Sequence, residues 1–108
     1  MRPVQKITVN NKGAYVFNFS VRWLGADGEW GTSEWNSGNY IVGQSRTTPA
    51  LETIGVPADA AAVTVYGHAV LGTSGQGTPF VGYAANGQIA TYDAVGTTFI
   101  GFAVNLIQ

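Results

Sequence analysis

The segment from Gly28 to Tyr40, GEWGTSEWNSGNY, carries the residue types best suited to holding a small polar ligand. It contains two of the three tryptophans of the chain, together with carboxylate, amide and hydroxyl groups. An indole ring can stack on the apolar face of a sugar while a few fixed polar groups bind its hydroxyls. The sequence therefore predicts a sugar site that uses Trp30, Glu34, Trp35, Asn36 and Tyr40. The same residue types also suit a β-hairpin that covers one end of a core.

A single histidine, His68, is the other group that could do chemistry. A lone imidazole can titrate near neutral pH or hydrogen-bond a ligand, so His68 is a candidate ligand contact as well as an ordinary surface residue. A metal cluster would need further ligands, and none lie at ligand spacing. No Gly-x-Ser-x-Gly motif supports a serine nucleophile, and Glu29 with Glu34 is the nearest carboxylate pair for a glycosidase. The sequence therefore predicts a protein without catalytic residues, metal or cofactor.

Composition excludes several other classes. The chain has 108 residues, no cysteine, a net charge of −1 and only 10% charged residues. The five basic residues form no stripe that could neutralise phosphates, so nucleic acid is not an expected partner. Disulfides are excluded, and no apolar run reaches the roughly 18 residues that a bilayer span needs. The first residues, MRPVQKITVNNKG, lack the apolar stretch of a signal peptide, which leaves the compartment open between the cytoplasm and export by another route.

Period-two alternation predicts strands throughout the chain. It places an aromatic face inward between Tyr15 and Trp23, and it marks strands at 6–9, 61–71 and 97–107, with weaker candidates at 43–49, 79–84 and 88–93. In the last long strand, Ile100 is expected to share a face with Phe102. Asp27-Gly28 and Asn86-Gly87 predict two-residue hairpin turns with positive φ at both positions, and 72–79 (GTSGQGTP) reads as a polar loop. We therefore expect one all-β domain, 1–108, folded as an antiparallel β-sandwich of seven to eight strands.

The strand GAYVFNFSVRW, 13–23, resembles the opening of the C-terminal membrane-recognition domain of the cholesterol-dependent (thiol-activated) cytolysins. The family reads roughly Asn-x-Gly-Ala-Tyr-Val-Ala-x-Phe-x-Val-x-Trp, and the matching residues are Asn11, Gly13, Ala14, Tyr15, Val16, Phe19, Val21 and Trp23. Trp35 and Gly38 are similar to the Trp-x-Gly of the next family strand, and 96–99 (GTTF) is similar to the family's Gly-Thr-Thr-Leu. The resemblance covers nearly the whole chain. It implies a stand-alone sandwich with binding loops at one end, and it implies that Trp35 plugs the core.

The departures from the family pattern concern the membrane-contacting tip. The family's tryptophan-rich loop, which opens with Glu-Cys, corresponds here to 68–80 (HAVLGTSGQGTPF), without tryptophan or cysteine. The family's cholesterol-reading Thr-Leu pair falls on Thr98 and Phe99, so the threonine is kept and the leucine is replaced. These two residues complete the set of candidate ligand contacts. The pore-forming domains of the family have no counterpart in this chain.

These observations leave three functional hypotheses. The leading one is a small metal-free lectin in which Trp30 contacts the sugar and Trp23 lies in the core. Because single sugar sites bind weakly, a homo-oligomer that gains avidity is expected. The first alternative is a module that binds sterol or lipid headgroups, as the resemblance implies. The second is a self-assembling structural protein without a small ligand.

Overall fold

The computed structural model describes residues 1–108 and consists of ten strands and one short 3₁₀ turn. The chain has no helix with the length and apolar character that crossing a bilayer requires. In chain order the strands are β1 (Pro3–Val4), β2 (Lys6–Asn11), β3 (Phe17–Leu24), β4 (Trp30–Asn36), β5 (Ser45–Thr47), β6 (Ala62–Ala69), β7 (Ser74–Thr78), β8 (Gly82–Tyr83), β9 (Ile89–Val95) and β10 (Ala103–Leu106). The 3₁₀ turn, Leu51–Ile54, lies between β5 and β6.

Eight strands form one curled sheet in the order β4-β3-β6-β7-β10-β9-β2-β5, and β1 pairs with β8 in a small second sheet. The halves β4-β3-β6-β7 and β10-β9-β2-β5 enclose the core between them, so the predicted all-β sandwich is confirmed. The sheet is mixed: the pairs β1–β8, β2–β9 and β7–β10 are parallel, and the other five pairs are antiparallel. The parallel pair β7–β10 joins the two halves.

The centre of the core is the aromatic face of β3, as the alternation predicted. Phe17, Phe19 and Val21 are fully buried, while the residues between them lie on the outer face. β3 pairs with β6 in unbroken register from Phe17 opposite Ala69 to Leu24 opposite Ala62. The Phe17 ring lies over Gly67 of β6, where a Cβ atom would stand 2.6 Å from the ring. Only glycine at this position allows the ring to reach the middle of the sandwich.

Rings from five segments extend this core into a continuous aromatic row. Phe17 contacts its neighbours at centroid distances of 5.9 Å (Tyr15), 5.7 Å (Tyr40) and 6.5 Å (Phe102). Phe19 continues the row to Trp35 at 5.5 Å in an edge-on geometry. Edge-on and tilted pairs of this kind add stabilisation beyond the burial of area. We call this set the aromatic row, and its members are Tyr15, Phe17, Phe19, Trp35, Tyr40 and Phe102.

Three strands, β1, β4 and β7, lie outside the segments in which alternation predicted strands. β7 occupies most of the predicted polar loop 72–79, and β4 occupies the segment predicted as the sugar site. In β7, a Cβ atom on Gly77 would stand 2.8 Å from the ring of Tyr92, so glycine is required by packing and not by a turn. Glycine and serine carry no hydrophobic alternation, and the pattern therefore gave no sign of a strand here.

The strand predicted for 97–107 is shorter than expected, because β10 begins at Ala103. Gly101 has a φ of +69°, a left-handed conformation that breaks the extended chain. As a result, Phe102 packs against the core while Ile100 is 77% exposed. The prediction that both side chains share one buried face is wrong for Ile100. The two predicted hairpin turns also differ from expectation, since only Gly28 and Gly87 in them have positive φ.

The side chain of Asn11, at the end of β2, is buried and makes three hydrogen bonds to the backbone. Its amide nitrogen donates to the carbonyls of Tyr15 (2.8 Å) and Tyr40 (3.2 Å). Its amide oxygen accepts from the backbone N–H of Gly13 at 3.0 Å. The Asn11 side chain thereby connects the loop that leads into β3 with the segment around Tyr40.

We predict that Asn11→Ala lowers the free energy of unfolding by about 2–4 kcal/mol. The reason is that Tyr15 O and Gly13 N–H lose their side-chain partner and Tyr40 O keeps only its bond from Phe17 N–H. Urea unfolding followed by tryptophan fluorescence measures the loss. The matched control is Asn39→Ala, since Asn39 is exposed and only accepts a bond from Asn18. A loss at Asn11 no larger than the loss at Asn39 would show that water replaces the amide without cost.

Candidate functional site

Four loops meet at one end of the sandwich, and we call this end the tip. They are 12–16, 40–44, 70–73 and 96–101. Backbone hydrogen bonds join three of them: Ala14 N–H to Gly96 O (2.9 Å), Val70 N–H to Val16 O (2.9 Å) and Thr73 N–H to Thr98 O (3.2 Å). The fourth loop, 40–44, is attached to the end of β2 by a bond from Gly43 N–H to Asn11 O (2.8 Å). The tip is therefore one connected surface and not four independent loops.

The tip presents most of the exposed large apolar side chains of the chain. Leu71 is 89% exposed, Phe99 78% and Ile100 77%, and smaller contributions come from Ile41, Val42 and Val16. Scattered exposed apolar residues are ordinary, whereas a contiguous group at one end marks an interaction surface. These side chains cannot turn inward, because the core beneath them is already filled by the aromatic row.

Charge is distributed unevenly between the tip and the opposite end. Lys12 is the only charged residue of the four tip loops, and it forms an ion pair with Asp93 at 3.0 Å. Four of the six carboxylates lie beyond the far ends of the strands, in segments 25–29 and 50–61: Asp27, Glu29, Glu52 and Asp59. The four tip loops are consequently apolar apart from Lys12, and none of them contains a carboxylate.

The two most apolar tip loops interlock. Gly72 lies so close to the side chain of Thr98 that any Cβ atom there would overlap it. The Thr73 hydroxyl donates to Thr98 O at 2.9 Å, and the Thr97 hydroxyl accepts from Ile100 N–H at 2.9 Å. Thr98 is thus half-buried between the loops, while its neighbour Phe99 faces outward. Of the two residues that correspond to the family's Thr-Leu pair, Thr98 and Phe99, only Phe99 is largely exposed to solvent.

The residues predicted for a sugar site do not converge on one place. Tyr40 is 2% exposed and its hydroxyl donates to Val9 O at 2.8 Å, so its predicted role as a ligand contact is wrong. Asn36 bonds Asn18 and Ser20 across the outer face of the sheet. His68 lies on that face too, with its Nδ1 atom 2.7 Å from the hydroxyl of Ser74.

The three tryptophans also separate. Trp30 is half-exposed near the far end of β3 and contacts Phe80, with ring centroids 5.8 Å apart. Trp35 and Glu34 instead line a cleft beside the 3₁₀ turn, and Trp23 lines it with them. Trp23 was predicted to lie in the core, but it is only partly buried and packs at the core's edge. Trp35 packs against the core through Phe19, as the resemblance implied.

Sequence reasoning missed most of the tip, namely Leu71, Ile100, Ile41 and Val42. A signal was present: each of these residues stands directly beside a glycine or one residue away from it, in Ile41-Val42-Gly43, Leu71-Gly72 and Ile100-Gly101. Apolar residues next to turn-forming glycines are displayed on loops and do not enter a strand face. No cluster of three or more histidine or carboxylate side chains lies close enough to hold a metal ion.

Two buried phenols support the tip from below. The Tyr15 hydroxyl donates to Val95 O at 2.8 Å, and burial raises the pKa of Tyr15 to about 12. Burial likewise raises the pKa of Tyr40, and the nearby Arg46 offsets part of that effect. Both phenols are therefore bound in their neutral forms, as hydrogen-bond donors to strand carbonyls.

Solved structures that are similar in fold to this chain include toxins. No protein-family model and no curated protein matches this sequence. Among solved structures, the chain is similar to a Gram-negative toxin (18% identity, TM-score 0.53) and to listeriolysin O (16% identity, TM-score 0.51). The similarity covers 94% and 95% of this chain but only 22% of either toxin, so the chain spans about a fifth of their length.

A third solved structure, the membrane-binding domain of pneumolysin, is similar over its whole length. The match covers 96% of both chains at 13% identity with a TM-score of 0.50. The fold that the sequence resemblance implied is therefore confirmed. At these identities the similarity establishes a shared fold and leaves the ligand to be argued from the residues of this chain.

We predict a loss of stability above about pH 10 that is traceable to Tyr15 and Tyr40. Both pKa values lie above the value of about 10 expected in an unfolded chain. Their contribution is thus fully present below pH 10 and is lost as the pH rises through the folded-state values. Thermal unfolding of the wild type and of a Tyr15→Phe, Tyr40→Phe variant between pH 8 and pH 12 measures it.

The double variant should be less stable at neutral pH, because two hydrogen bonds are missing, but its midpoint should fall less steeply at high pH. Some decline should persist, since burial also raises the pKa of Tyr92. An equally steep fall in both proteins would contradict the assignment to Tyr15 and Tyr40.

Proposed function

We propose that this chain is a non-enzymatic module that binds lipid membranes peripherally, by inserting the apolar side chains of its tip into the bilayer surface. The observation that carries the proposal is the group formed by Leu71, Phe99 and Ile100, each more than three-quarters exposed on interlocked loops. The ligand in this proposal is the bilayer itself, and the three side chains enter its hydrocarbon region.

The energy available from the tip suits reversible surface binding. Full transfer of a leucine, isoleucine or phenylalanine side chain out of water is worth about 1.5–3 kcal/mol. Three such side chains together are worth roughly 4–9 kcal/mol before the costs of immobilisation, which is in the range of interfacial anchors and far from a permanent span. Ile41 and Val42 would add area at the rim of the contact.

The distribution of charge is compatible with contact between the tip and a bilayer. The tip loops carry no carboxylate, so they bring no negative charge to phosphate headgroups. The side chain of Lys12, in the tip loop 12–16, is 58% exposed and paired with Asp93. It can remain at headgroup level while the apolar side chains of the tip insert. The carboxylates of the opposite end would point away from the membrane in this orientation.

The rigidity of the tip supports the same function. Its loops are tied to each other by backbone bonds and to the core by Asn11 and Tyr15. Insertion therefore orders few additional groups, and most of the transfer energy contributes to binding. The fold shared with the membrane-binding domain of pneumolysin is further support, since the tip belongs to the same kind of sandwich.

The lectin hypothesis for the segment 28–40 stays a prediction, as does the homo-oligomer. The structure separates the proposed sugar-binding residues, with one part in the cleft and the rest elsewhere. Assembly without any small ligand also stays a prediction.

We predict that Ile100→Ser weakens binding to phosphatidylcholine vesicles by roughly tenfold or more, because the isoleucine contributes about 1.5–3 kcal/mol on insertion. Vesicle co-sedimentation at increasing lipid concentration measures the partition. Ile107→Ser is the matched control: the residue is also exposed, at 52%, but it follows β10 at the end opposite the tip. The control should bind like the wild type.

Vesicles with and without cholesterol distinguish two forms of this function. Binding that requires cholesterol and is lost in Thr98→Ala would support sterol recognition at the counterpart of the family's pair. Binding to both vesicle types, insensitive to Thr98→Ala, would support general insertion through the apolar side chains. Equal loss in Ile100→Ser and Ile107→Ser, or no binding to either vesicle by folded protein, would contradict the proposal.

A further inference from the structure

A cleft of about 460 Å³ opens on the side of the sandwich, between β4 and the 3₁₀ turn. It is lined by Trp23, Thr32, Ser33, Glu34, Trp35 and the turn residues 53–55. Trp23 and Gly55 belong to the half of the molecule opposite the tip, because β3 runs away from the tip toward Leu24. The cleft is thus a surface feature separate from the proposed membrane contact.

β4 is irregular where it lines the cleft. The register between β3 and β4 shifts between Ser20 and Arg22, where one residue of β3, Val21, opposes three of β4, 33–35. The Ser33 hydroxyl fills the gap in the ladder: it accepts from Val21 N–H at 2.9 Å and donates to Trp35 O at 2.7 Å. Bulges of this kind re-aim side chains at sheet edges. Here the bulge accompanies Trp35 packing against Phe19 at the cleft wall.

Two glycines make room for the second ring. A Cβ atom on Gly31, which pairs with Trp23 across the strands, would overlap the indole. A Cβ atom on Gly55 would stand 3.4 Å from the outer edge of the same ring. The indole of Trp23 therefore packs against two positions that carry no side chain. Trp23 and Trp35 are both partly buried and packed against the core.

The polar groups of the cleft are available to a ligand. The two indole N–H groups, the Thr32 hydroxyl and the Glu34 carboxylate make no hydrogen bond within the chain, and none of them is among the buried unsatisfied groups. The lining thus combines two indole rings with a hydroxyl and a carboxylate that have no partner within the chain. Glu34 is its only charge, which disfavours ligands that carry carboxylate, phosphate or sulfate.

We propose that this cleft binds a neutral carbohydrate, with a pyranose ring stacked on an indole and its hydroxyls bonded to Glu34 and Thr32. Pockets for ligands of this size span roughly 300–1,000 Å³ and combine apolar walls with a few oriented polar groups. A sugar supplies both an apolar face and many donors and acceptors, whereas a purely apolar ligand would leave the four polar groups without partners. This site uses Trp23, which the sequence had assigned to the core, and leaves out Trp30.

The test is a glycan array that contains neutral oligosaccharides and their sialylated forms, followed by titration of the strongest neutral binder in solution by calorimetry. Glu34→Gln and Thr32→Val both keep the side-chain volume. Glu34→Gln should weaken binding by roughly tenfold or more, and Thr32→Val should weaken it less. Trp35→Ala should abolish binding. Trp30→Ala is the matched control, because its indole lies outside the cleft, and it should bind like the wild type.

Ile100→Ser should also bind the sugar normally, so that failure of the membrane proposal leaves this test intact. Three outcomes would overturn the carbohydrate proposal. One is a blank array from folded wild-type protein; another is a preference for sialylated over neutral glycans. The third is binding that survives Glu34→Gln and Trp35→Ala but is lost in Trp30→Ala, which would place the site at the exposed ring beside Phe80.

Discussion

The packing of Phe17 over Gly67 is the contact on which the rest of the structure depends. Because glycine leaves the centre of β6 open, the ring can reach the middle of the sandwich and contact Tyr15, Tyr40 and Phe102 at once. These partners come from the start of β3, the loop before β5 and the start of β10, so one ring fixes the elements from which the tip loops emerge. A smaller ring at this position would leave a void shared by all of them.

The aromatic row also links the two surfaces to which we assign ligands. At one end, Tyr15 and Tyr40 hold the base of the tip through bonds to Val95 and Val9. At the other end, Phe19 supports Trp35 in the wall of the cleft. Between them, the row fills the core so completely that apolar residues in the tip loops have no interior position to occupy. Their exposure is a consequence of the packing below them and provides the surface that we propose to face the membrane.

The sequence was most informative where strands alternate. The alternation of Phe17, Phe19 and Val21 with polar residues predicts β3 and its buried face. Enough other segments alternate in this way to indicate an all-β sandwich. β7 was not predictable by this route, because a glycine-rich strand carries no alternation and its need for Gly77 arises from Tyr92, which is distant in sequence. The burial of Tyr40 accompanies its bridge to Phe17, which is distant in sequence, and the exposure of Ile100 depends on the left-handed conformation of Gly101. Periodicity encodes neither of these. The cleft was only partly predictable: Glu34 and Trp35 were predicted ligand contacts, whereas Trp23 had been assigned to the core.

The central claim is that the tip enters the bilayer, and the most direct measurement uses the absence of cysteine from the chain. A single cysteine in place of Ile100, labelled with a polarity-sensitive fluorophore, reports on the environment of the tip; the same label in place of Ile107 reports on the far end. On phosphatidylcholine–cholesterol vesicles the account predicts a blue shift at position 100, quenched by spin labels on the acyl chains, and no change at position 107. A shift at position 107 alone, or bound protein with neither label shifted, would contradict it.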